Sequence, residues 1–317
     1  MRPVPGGAPP ADTPEDGTAA PLTVPSVPPG PLAFVFRTGS WDLAERPRVI
    51  GILNVTPDSF YDGGRYASPD RAIERAERMV EEGADGIDIG GRSTRPGAAA
   101  LDIEEEWRRL LPALRGLCGR VNIPVSVDTF HGEIARRALD SGAAIVNDIT
   151  GLAQDPSIAA LAAGAGAGLV LMHSVGGPDR LHEPRRYEDV GGSVRGFLTA
   201  QLHLAVAGGV PAERIALDPG IGFSKQPDQS LAALRAIPGL TALGRPLYIG
   251  VSRKSFLGAL TGQPVEGRLA ASLGATVAAF ALGGRIFRTH DVRETRDALR
   301  AAGALLAPGA PSTETRP

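Results

Sequence analysis

The chain has 317 residues, of which 43% are apolar and 21% charged, and its formal net charge is -2. This length allows one large domain, and the near-neutral charge excludes a general attraction to nucleic acid or anionic lipid. A single cysteine, Cys118, excludes an internal disulfide, and no uncharged apolar run is long enough to span a bilayer, so we expect a cytoplasmic protein without a membrane span.

The two ends of the chain differ in composition from the rest. Ten of the first 31 residues are proline, and Asp12, Glu15 and Asp16 add charge. Such a segment buries too little apolar surface to offset its ordering entropy, and its broken apolar stretches do not form a signal peptide. We therefore expect a disordered Pro-rich leader over 1–31, one domain over 32–306 and a disordered tail over 307–317.

After the leader, the predicted elements begin with a β-hairpin and then repeat one unit. The hairpin is predicted from FVFRTGSWDL, over 34–43, with its turn around Thr38 and Gly39. Eight short apolar strands follow, and they alternate with loops and amphipathic helices. The strands are predicted over 49–53, 86–89, 124–127, 144–147, 168–172, 215–217, 247–251 and 285–288. The first helix is expected to have Ser68 as its cap, Pro69 in its first turn and Gly83 at its end.

This alternation predicts an α/β fold. Continuous apolar strands separated by helices indicate a parallel sheet that is covered on its outside. Eight units in roughly 260 residues match a (β/α)8 TIM barrel, with the N-terminal β-hairpin as an addition. A doubly wound open sheet is the alternative, and the number of strands favours the barrel.

Polar side chains stand at almost every predicted strand end. In chain order they are Asn54, Asp88, Asp128, Asn147, Asp148, His173, Asp218, Ser252, Arg253, Lys254, Ser255, Arg288 and His290. The carboxyl ends of barrel strands surround one mouth, where the active sites of such folds lie. We therefore expect these residues, although far apart in sequence, to gather around one site.

The set divides by charge into acceptors and cations. The acceptors are Asp88, Asp128, Asn147 and Asp218, and the cations are Arg95, Lys254, Arg288 and His290. Carboxylates suit a flat ligand with several N–H donors, whereas the cations, with a helix start near Ser255, suit a phosphate or pyrophosphate. The sequence has no His-rich or Cys-rich zinc cluster. Asn54 offers one oxygen, which Mg²⁺ accepts when phosphates and water complete its shell.

Each of these residues also has a structural alternative. Asp and Asn at strand ends commonly cap the following helix, and Asp148 is assigned a capping or structural role. His173 is interpreted as a buried core histidine rather than a ligand. For the set as a whole this alternative is weaker, because the polar strand ends occur together.

Seven segments occur in a recognisable order along the chain. They are GILNVTPDSFYDGG, IDIGGRSTRPGA, VSVDT, IVNDITG, LDPGIGFSK, VSRKSFLG and FRTHDV. Together they resemble the dihydropteroate synthases of folate biosynthesis, in the pterin-binding family, over roughly residues 34–306. The resemblance implies a (β/α)8 barrel, usually homodimeric. It implies an enzyme that uses Mg²⁺ to condense 6-hydroxymethyl-7,8-dihydropterin pyrophosphate with p-aminobenzoate, releasing 7,8-dihydropteroate and pyrophosphate.

The resemblance also implies roles for individual residues. Those implied for the pterin are Asp88, Asp128, Asn147, Met172, Asp218, Phe223, Lys254 and Arg288. Those implied for the pyrophosphate are Asn54, Thr94, Arg95, Arg288 and His290, with Asn54 as the Mg²⁺ ligand. Those implied for p-aminobenzoate are Phe60, Thr94, Pro96 and Ser255. Those implied for catalysis are Asp62 of the first loop, Arg95 of the second loop, Lys254, Arg288 and His290.

One position departs from the resemblance. Arg92 stands in GGRSTRPG where the family commonly has Glu. We expect this charge reversal to alter the packing of the second loop or to add attraction for phosphate. Since the implied pocket residues are all present, we do not expect it to abolish function.

Three alternative functions stay open at this point. A methyltetrahydrofolate:corrinoid methyltransferase uses a related barrel but binds no pyrophosphate, which leaves SRKS and FRTHDV unexplained. A Schiff-base aldolase would use Lys254 as its nucleophile, with a lowered pKa. A non-catalytic pterin-binding homologue would keep the same polar groups.

Overall fold

The computed structural model describes residues 32–55, 69–92, 101–177, 180, 181, 183 and 185–306. The expected leader and tail lie outside these ranges. Five predicted site residues also lie outside them, namely Phe60, Asp62, Thr94, Arg95 and Pro96.

The described chain begins with the predicted β-hairpin. Its strands are β1 (Ala33–Phe36) and β2 (Gly39–Asp42), which pair antiparallel with Phe36 opposite Gly39. Phe34 and Trp41 are buried in an apolar cluster with Ile50 and Tyr248 from the strands of the main sheet. The hairpin therefore covers one end of that sheet.

The main sheet consists of eight parallel strands. They are β3 (Arg48–Asn54), β4 (Gly86–Gly90), β5 (Val125–Asp128), β6 (Ile145–Asp148), β7 (Gly168–Met172), β8 (Ile215–Asp218), β9 (Tyr248–Gly250) and β10 (Ile286–Thr289). They are hydrogen-bonded in the order β8-β7-β6-β5-β4-β3-β10-β9, and an isolated parallel bridge between Leu217 and Leu247 brings β8 against β9. The predicted barrel is thereby confirmed, and the open doubly wound sheet is excluded.

Every predicted strand is present, and each of its bounds lies within one residue of the prediction. β4 and β7, for example, are buried along their whole length. Such strands face packed side chains inside the barrel and helices outside it, which is why they read as continuous apolar runs.

Helices cover the outside of the barrel. They are α1 (Pro69–Glu81), α2 (Ile103–Cys118), α3 (Gly132–Asp140), α4 (Ser157–Ala165), α5 (Val190–Ala207), α6 (Pro227–Arg235), α7 (Ile237–Thr241), α8 (Ser255–Thr261), α9 (Leu269–Ala281) and α10 (Val292–Leu306). α1 begins with proline in its first turn, as predicted, and Gly83 follows it with φ +95°. None of the helices in the described part of the chain has the length and apolar character needed to cross a bilayer.

Candidate functional site

Strand ends that carry polar side chains lie side by side at the open mouth of the barrel. The register pairs Asn54 with Gly90, Gly90 with Asp128, and Asp128 with Asn147. Gly90 has no side chain, and a Cβ placed on it would lie 3.5 Å from Asp128 Cβ and 3.7 Å from Asn54 Oδ1. The glycine therefore leaves open the space between an amide oxygen and a carboxylate.

An arginine from β10 binds two aspartates across this mouth. Arg288 Nε donates to Asp88 Oδ2 at 2.6 Å, and Arg288 Nη2 donates to Asp128 Oδ2 at 2.9 Å. Burial opposes the charge on Arg288, but the two carboxylates raise its pKa above the ordinary value. Burial raises the pKa of Asp128 to about 7, and the charge of Arg288 limits this rise. The cluster thus holds a permanent cation between two carboxyl groups.

Two buried oxygens beside Arg288 have no hydrogen-bond partner in the part of the chain that the structure describes. Asn147 is 3% exposed and donates through Nδ2 to Asp88 Oδ2 at 3.0 Å. Within the described residues, Asp88 Oδ1 and Asn147 Oδ1 accept no hydrogen bond. A buried acceptor left unpaired costs about 1–3 kcal/mol, so the pair indicates a ligand that brings N–H donors to this point.

A third carboxylate and a lysine stand at the last residue of β8 and in the segment after β9. Asp218 is 6% exposed, and its Oδ1 accepts from Gly220 N at 2.7 Å. Lys254 Nζ donates to the Ile221 carbonyl and lies 4.3 Å from the centroid of the Phe223 ring. Burial raises the pKa of Asp218, and Lys254 opposes this rise. Burial also lowers the pKa of Lys254 to about 8, against the pull of Asp218.

Between these polar groups lies a small apolar cluster. Met172, at the end of β7, is 2% exposed and packs with Phe130, Ile149 and Leu181, and Phe223 packs against the cluster. The cluster is separate from the main core of the barrel. It offers an apolar wall next to the buried acceptors, as a flat ring with polar edges requires.

The segment after β9 places its polar groups near those that follow β10. Ser252 Oγ and His290 Nδ1 are 2.9 Å apart. Arg253 binds both oxygens of Asp291, at 3.0 and 2.5 Å. Ser255 is exposed and is the first residue of α8. Arg253 therefore pairs with Asp291, whereas Lys254 and Arg288 contact groups of the mouth.

Two strand-end residues have structural roles, as predicted. Asp148 Oδ1 accepts from the amide and the hydroxyl of Thr150, both at 2.8 Å, and its Oδ2 accepts from Leu152 N at 2.7 Å. It therefore caps the turn after β6. His173 is 1% exposed, and its Nδ1 lies 2.8 Å from Lys225 Nζ. The predictions for Asp148 and His173 are confirmed.

The unusual Arg92 has a buried partner that sequence reasoning missed. Its Nε lies 3.7 Å from Glu106 Oε2, and its Nη2 donates to the Leu101 carbonyl. Glu106 is 1% exposed, and its Oε1 accepts from Thr129 Oγ1 at 3.3 Å. Burial raises the pKa of Glu106, whereas Arg92 and Thr129 lower it. Arg92 also lies 5.1 Å from the centroid of the Phe130 ring. Its guanidinium group therefore packs against Glu106 and Phe130, close to the end of β5 at Asp128.

Lys225 is the other functional candidate that sequence reasoning missed. It is 7% exposed, and its Nζ donates to the Gly220 and Phe223 carbonyls at 3.0 and 3.2 Å. Its position in LDPGIGFSK, seven residues after Asp218, does not mark it as buried. The only signal was that a lysine closes a glycine-rich loop which begins with a strand-end aspartate.

Replacing His173 by asparagine is expected to make stability less sensitive to acid. Burial, and then the charge of Lys225, lower the pKa of His173 to about 3, against about 6.5 in the unfolded chain. Its contribution to the free energy of unfolding is therefore present above pH 6.5 and is lost as the pH falls towards 3. Asparagine does not titrate and keeps an acceptor for Lys225.

Denaturant titrations at pH 7 and pH 5 measure this difference. The wild-type chain should lose up to about 2 kcal/mol more between the two pH values than His173→Asn loses. Equal losses would show that His173 titrates in the folded chain as it does in the unfolded one.

The chain matches one protein family over most of its length. Residues 50–290 match the family described as "Pterin binding enzyme". This range runs from within β3 to just beyond β10 and includes the described strand-end residues of the mouth.

Relatives and solved structures agree with this match. The dihydropteroate synthase of Synechocystis sp. is 45% identical over 266 residues, which cover 84% of this chain and 92% of that protein. The dihydropteroate synthase of Mycobacterium leprae is 44% identical over 269 residues, which cover 83% of this chain and 94% of that protein. The structure of Xanthomonas albilineans dihydropteroate synthase with 4-aminobenzoic acid is similar, with a TM-score of 0.80, 40% identity and coverage of 85% and 96% of the two chains. A structure of that enzyme with 7,8-dihydropteroate gives a TM-score of 0.77 at 38% identity, over 85% and 97% of the chains.

Proposed function

The chain belongs to the pterin-binding enzyme family, and we propose that it is a dihydropteroate synthase. It condenses 6-hydroxymethyl-7,8-dihydropterin pyrophosphate with p-aminobenzoate and releases pyrophosphate, which makes it a transferase of folate biosynthesis. The observation that carries this proposal is the pair of unpartnered buried acceptors, Asp88 Oδ1 and Asn147 Oδ1, beside an apolar wall. Relatives with this activity are 40–45% identical over most of the chain.

The pterin ring fits the lower part of the mouth. Its N–H groups meet the acceptors of Asp88 and Asn147 on one side and Asp218 on the other. A carboxylate can accept two parallel N–H hydrogen bonds from such a ring edge. Met172 and Phe223 supply the apolar wall. Arg288 holds the carboxylates of Asp88 and Asp128, and Lys254 binds the Ile221 carbonyl at the rim of this pocket.

The reaction breaks the bond between the exocyclic pterin carbon and the pyrophosphate oxygen and forms a bond from that carbon to the aryl amine. The amine nitrogen then releases a proton to solvent. Negative charge develops on the leaving group, where Arg288 and His290 supply donors, as does Arg95 in our sequence-based prediction. Positive charge spreads into the pterin, where the ring of carboxylates stabilises it because these groups are already in place. An aromatic amine is a sufficient nucleophile, so no strong base is required.

The residues present also suit Mg²⁺, which we propose as the metal. Asn54 Oδ1 borders the space that Gly90 leaves open, and the donor set there consists of oxygens. Among the described residues there is no group of three or more His, Cys, Asp or Glu side chains that could hold a metal ion alone. This pattern fits a cation held by one amide oxygen together with phosphates and water. Bound there, Mg²⁺ would neutralise charge on the pyrophosphate.

A pyrophosphate-release assay tests the proposed activity. We expect release with both substrates and Mg²⁺, and only background release with either substrate alone. Pterin binding without release would instead identify a non-catalytic homologue. Methyl transfer from methyltetrahydrofolate to a corrinoid would identify the methyltransferase alternative.

Changing Ser255 to alanine is expected to weaken the second substrate selectively. We propose that the Ser255 hydroxyl, at the start of α8, receives the p-aminobenzoate carboxylate together with backbone N–H groups. Loss of one hydrogen bond of about 1 kcal/mol should raise KM for p-aminobenzoate roughly fivefold. Calorimetry with a pterin should show unchanged affinity, and a parallel loss of pterin affinity would refute this placement.

We also propose that the enzyme is a cytoplasmic homodimer. α9 contains no charged residue, and its outer face includes Ala270, Gly274 and Ala278, which are exposed, beside half-buried Leu273 and Val277. An apolar helix face of this kind fits a partner subunit. Sedimentation should give twice the chain mass of 32.8 kDa, and a purely monomeric species at micromolar concentration would refute the dimer.

A further inference from the structure

The loop that joins β8 to α6 contains a buried ammonium group, that of Lys225. Lys225 is 7% exposed, and its Nζ has three acceptors: His173 Nδ1 at 2.8 Å, Gly220 O at 3.0 Å and Phe223 O at 3.2 Å. An ammonium group has three donors and no acceptor, so the three partners match a charged Lys225 beside a neutral His173.

This ammonium is linked to Asp218 through the backbone of the loop. Gly220 accepts from Lys225 through its carbonyl and donates through its amide to Asp218 Oδ1 at 2.7 Å. Gly220 has φ +64°, and a Cβ on it would lie 1.9 Å from the His173 carbonyl oxygen. His173 N in turn donates to the Asp218 carbonyl at 2.8 Å. The loop is therefore held between Lys225, His173 and Asp218 with little room to move.

We propose that Lys225 is a positioning residue that keeps Asp218 ionised and its loop in place for the pterin. This inference rests on the proposed function, because it takes Asp218 as a pterin acceptor. Lys225 also holds the Phe223 carbonyl, and the Phe223 ring forms part of the apolar wall of the same pocket. Lys225 Nζ bonds to His173 and to two carbonyls of the loop, so it would act on the pterin through these groups.

The charges around this pair support the same role. Lys254, Lys225 and Arg288 each lower the pKa of Asp218, against the effect of burial. The other titratable groups that face the pair are the ring of His173, the ring of Tyr187 at 6.0 Å from Lys225 Nζ, and Tyr248 on β9. Burial lowers the pKa of Lys225 to about 7 and Asp218 opposes this, so below neutral pH the lysine carries its charge.

The test is the pH dependence of pterin binding by Lys225→Met and Lys225→Gln. Binding of 6-hydroxymethylpterin, measured by calorimetry from pH 5 to pH 8, should weaken in acid as Asp218 is protonated. Without the charge of Lys225, the midpoint of this weakening should move to higher pH by about one unit in both variants. At a pH between the two midpoints, the affinity should fall up to about tenfold below that of the wild type.

Ser224→Ala is the matched control. Ser224 is in the same loop, and its hydroxyl bonds to Val175 and Leu181 without adding charge. This variant should melt at a lower temperature, but the pH midpoint of pterin binding should be unchanged. If Lys225→Met and Lys225→Gln also leave the midpoint unchanged, whether their affinity is normal or uniformly reduced, Lys225 is only structural and the inference fails.

A second measurement does not depend on ligand binding or on the folding of Lys225 variants. Coupling between two charges is reciprocal, so Asp218→Asn should lower the pKa of Lys225, observed by NMR of ¹³C-labelled lysine. An unchanged pKa of Lys225 in Asp218→Asn would overturn the inference. A wild-type chain that binds no pterin at any pH would overturn the proposed function, while this titration would still decide whether Lys225 and Asp218 interact.

Discussion

Replacing Arg288 by methionine is expected to abolish turnover and to lower the free energy of unfolding by about 3–5 kcal/mol. Arg288 is the cation between Asp88 and Asp128, at 2.6 and 2.9 Å, and Asp88 is completely buried. Removing one partner of a buried ion pair leaves an uncompensated charge, and that accounts for the size of the effect. The proposed pterin pocket should lose its shape at the same time, because the hydrogen bonds that orient both carboxylates are gone.

The pH dependence of this variant has a definite sign. Burial already raises the pKa of Asp128 in the folded chain to about 7, above the unfolded value of about 4, and loss of the Arg288 charge should raise it further. The folded variant then binds more protons than the unfolded chain, so its stability should fall as the pH rises from about 4 to above 7.

Arg137→Met provides a matched control for Arg288→Met. Arg137 also binds two carboxylates, Glu104 and Glu133, but on the solvent-exposed surface of α3. We expect its melting temperature and activity to be close to wild type, because water screens such pairs. Similar losses in the two variants would show that burial is not what makes Arg288 important.

Replacing Arg92 by glutamate, the residue that the sequence resemblance leads us to expect there, should destabilise this chain. The new carboxylate would stand beside Glu106, whose side chain is 2% exposed and whose Oε2 lies 3.7 Å from Arg92 Nε. Loss of the cation and the added repulsion should together cost about 3 kcal/mol. The pKa of Glu106, already raised by burial, should rise further.

A series of variants separates the two contributions. Arg92→Met removes the cation without adding a charge, so its thermal stability should lie between wild type and Arg92→Glu. Combining Arg92→Glu with Glu106→Gln should recover part of the loss, because only one carboxylate remains. If the methionine and glutamate variants have the same melting temperature, and the double variant is no more stable than Arg92→Glu, Arg92 and Glu106 do not interact in solution.

The main features of the fold could be predicted from the sequence because strand burial is periodic and local. β7, for example, is a run of five buried residues, 168–172, that any reading of hydropathy finds. The strand-end aspartates were also predictable, since a charge directly after a buried run marks the mouth of the barrel. Asp88 and Arg288, 200 residues apart, meet because both strands end at the same rim.

The partners of Lys225 and Arg92 could not be predicted, for a different physical reason. Lys225 binds two backbone carbonyls and a histidine ring, and backbone acceptors leave no mark in the sequence. Glu106 lies on an amphipathic helix among other acidic residues, where a charge normally faces solvent. Its burial depends on Thr129 and Arg92, which reach it from separate elements.

The hairpin of β1 and β2 has a consequence for the order in which molecules enter and leave. Phe34 and Trp41 close the end of the barrel that the hairpin covers. Substrates and products therefore enter and leave through the opposite rim, where the strands end. Asp88 lies two residues before Gly90, the register partner of Asn54, so it is deeper in the barrel than Asn54. In the proposed binding mode, a pterin on Asp88 would therefore bind before the pyrophosphate layer near Asn54 closes over it, and the product would leave through the same rim after the pyrophosphate.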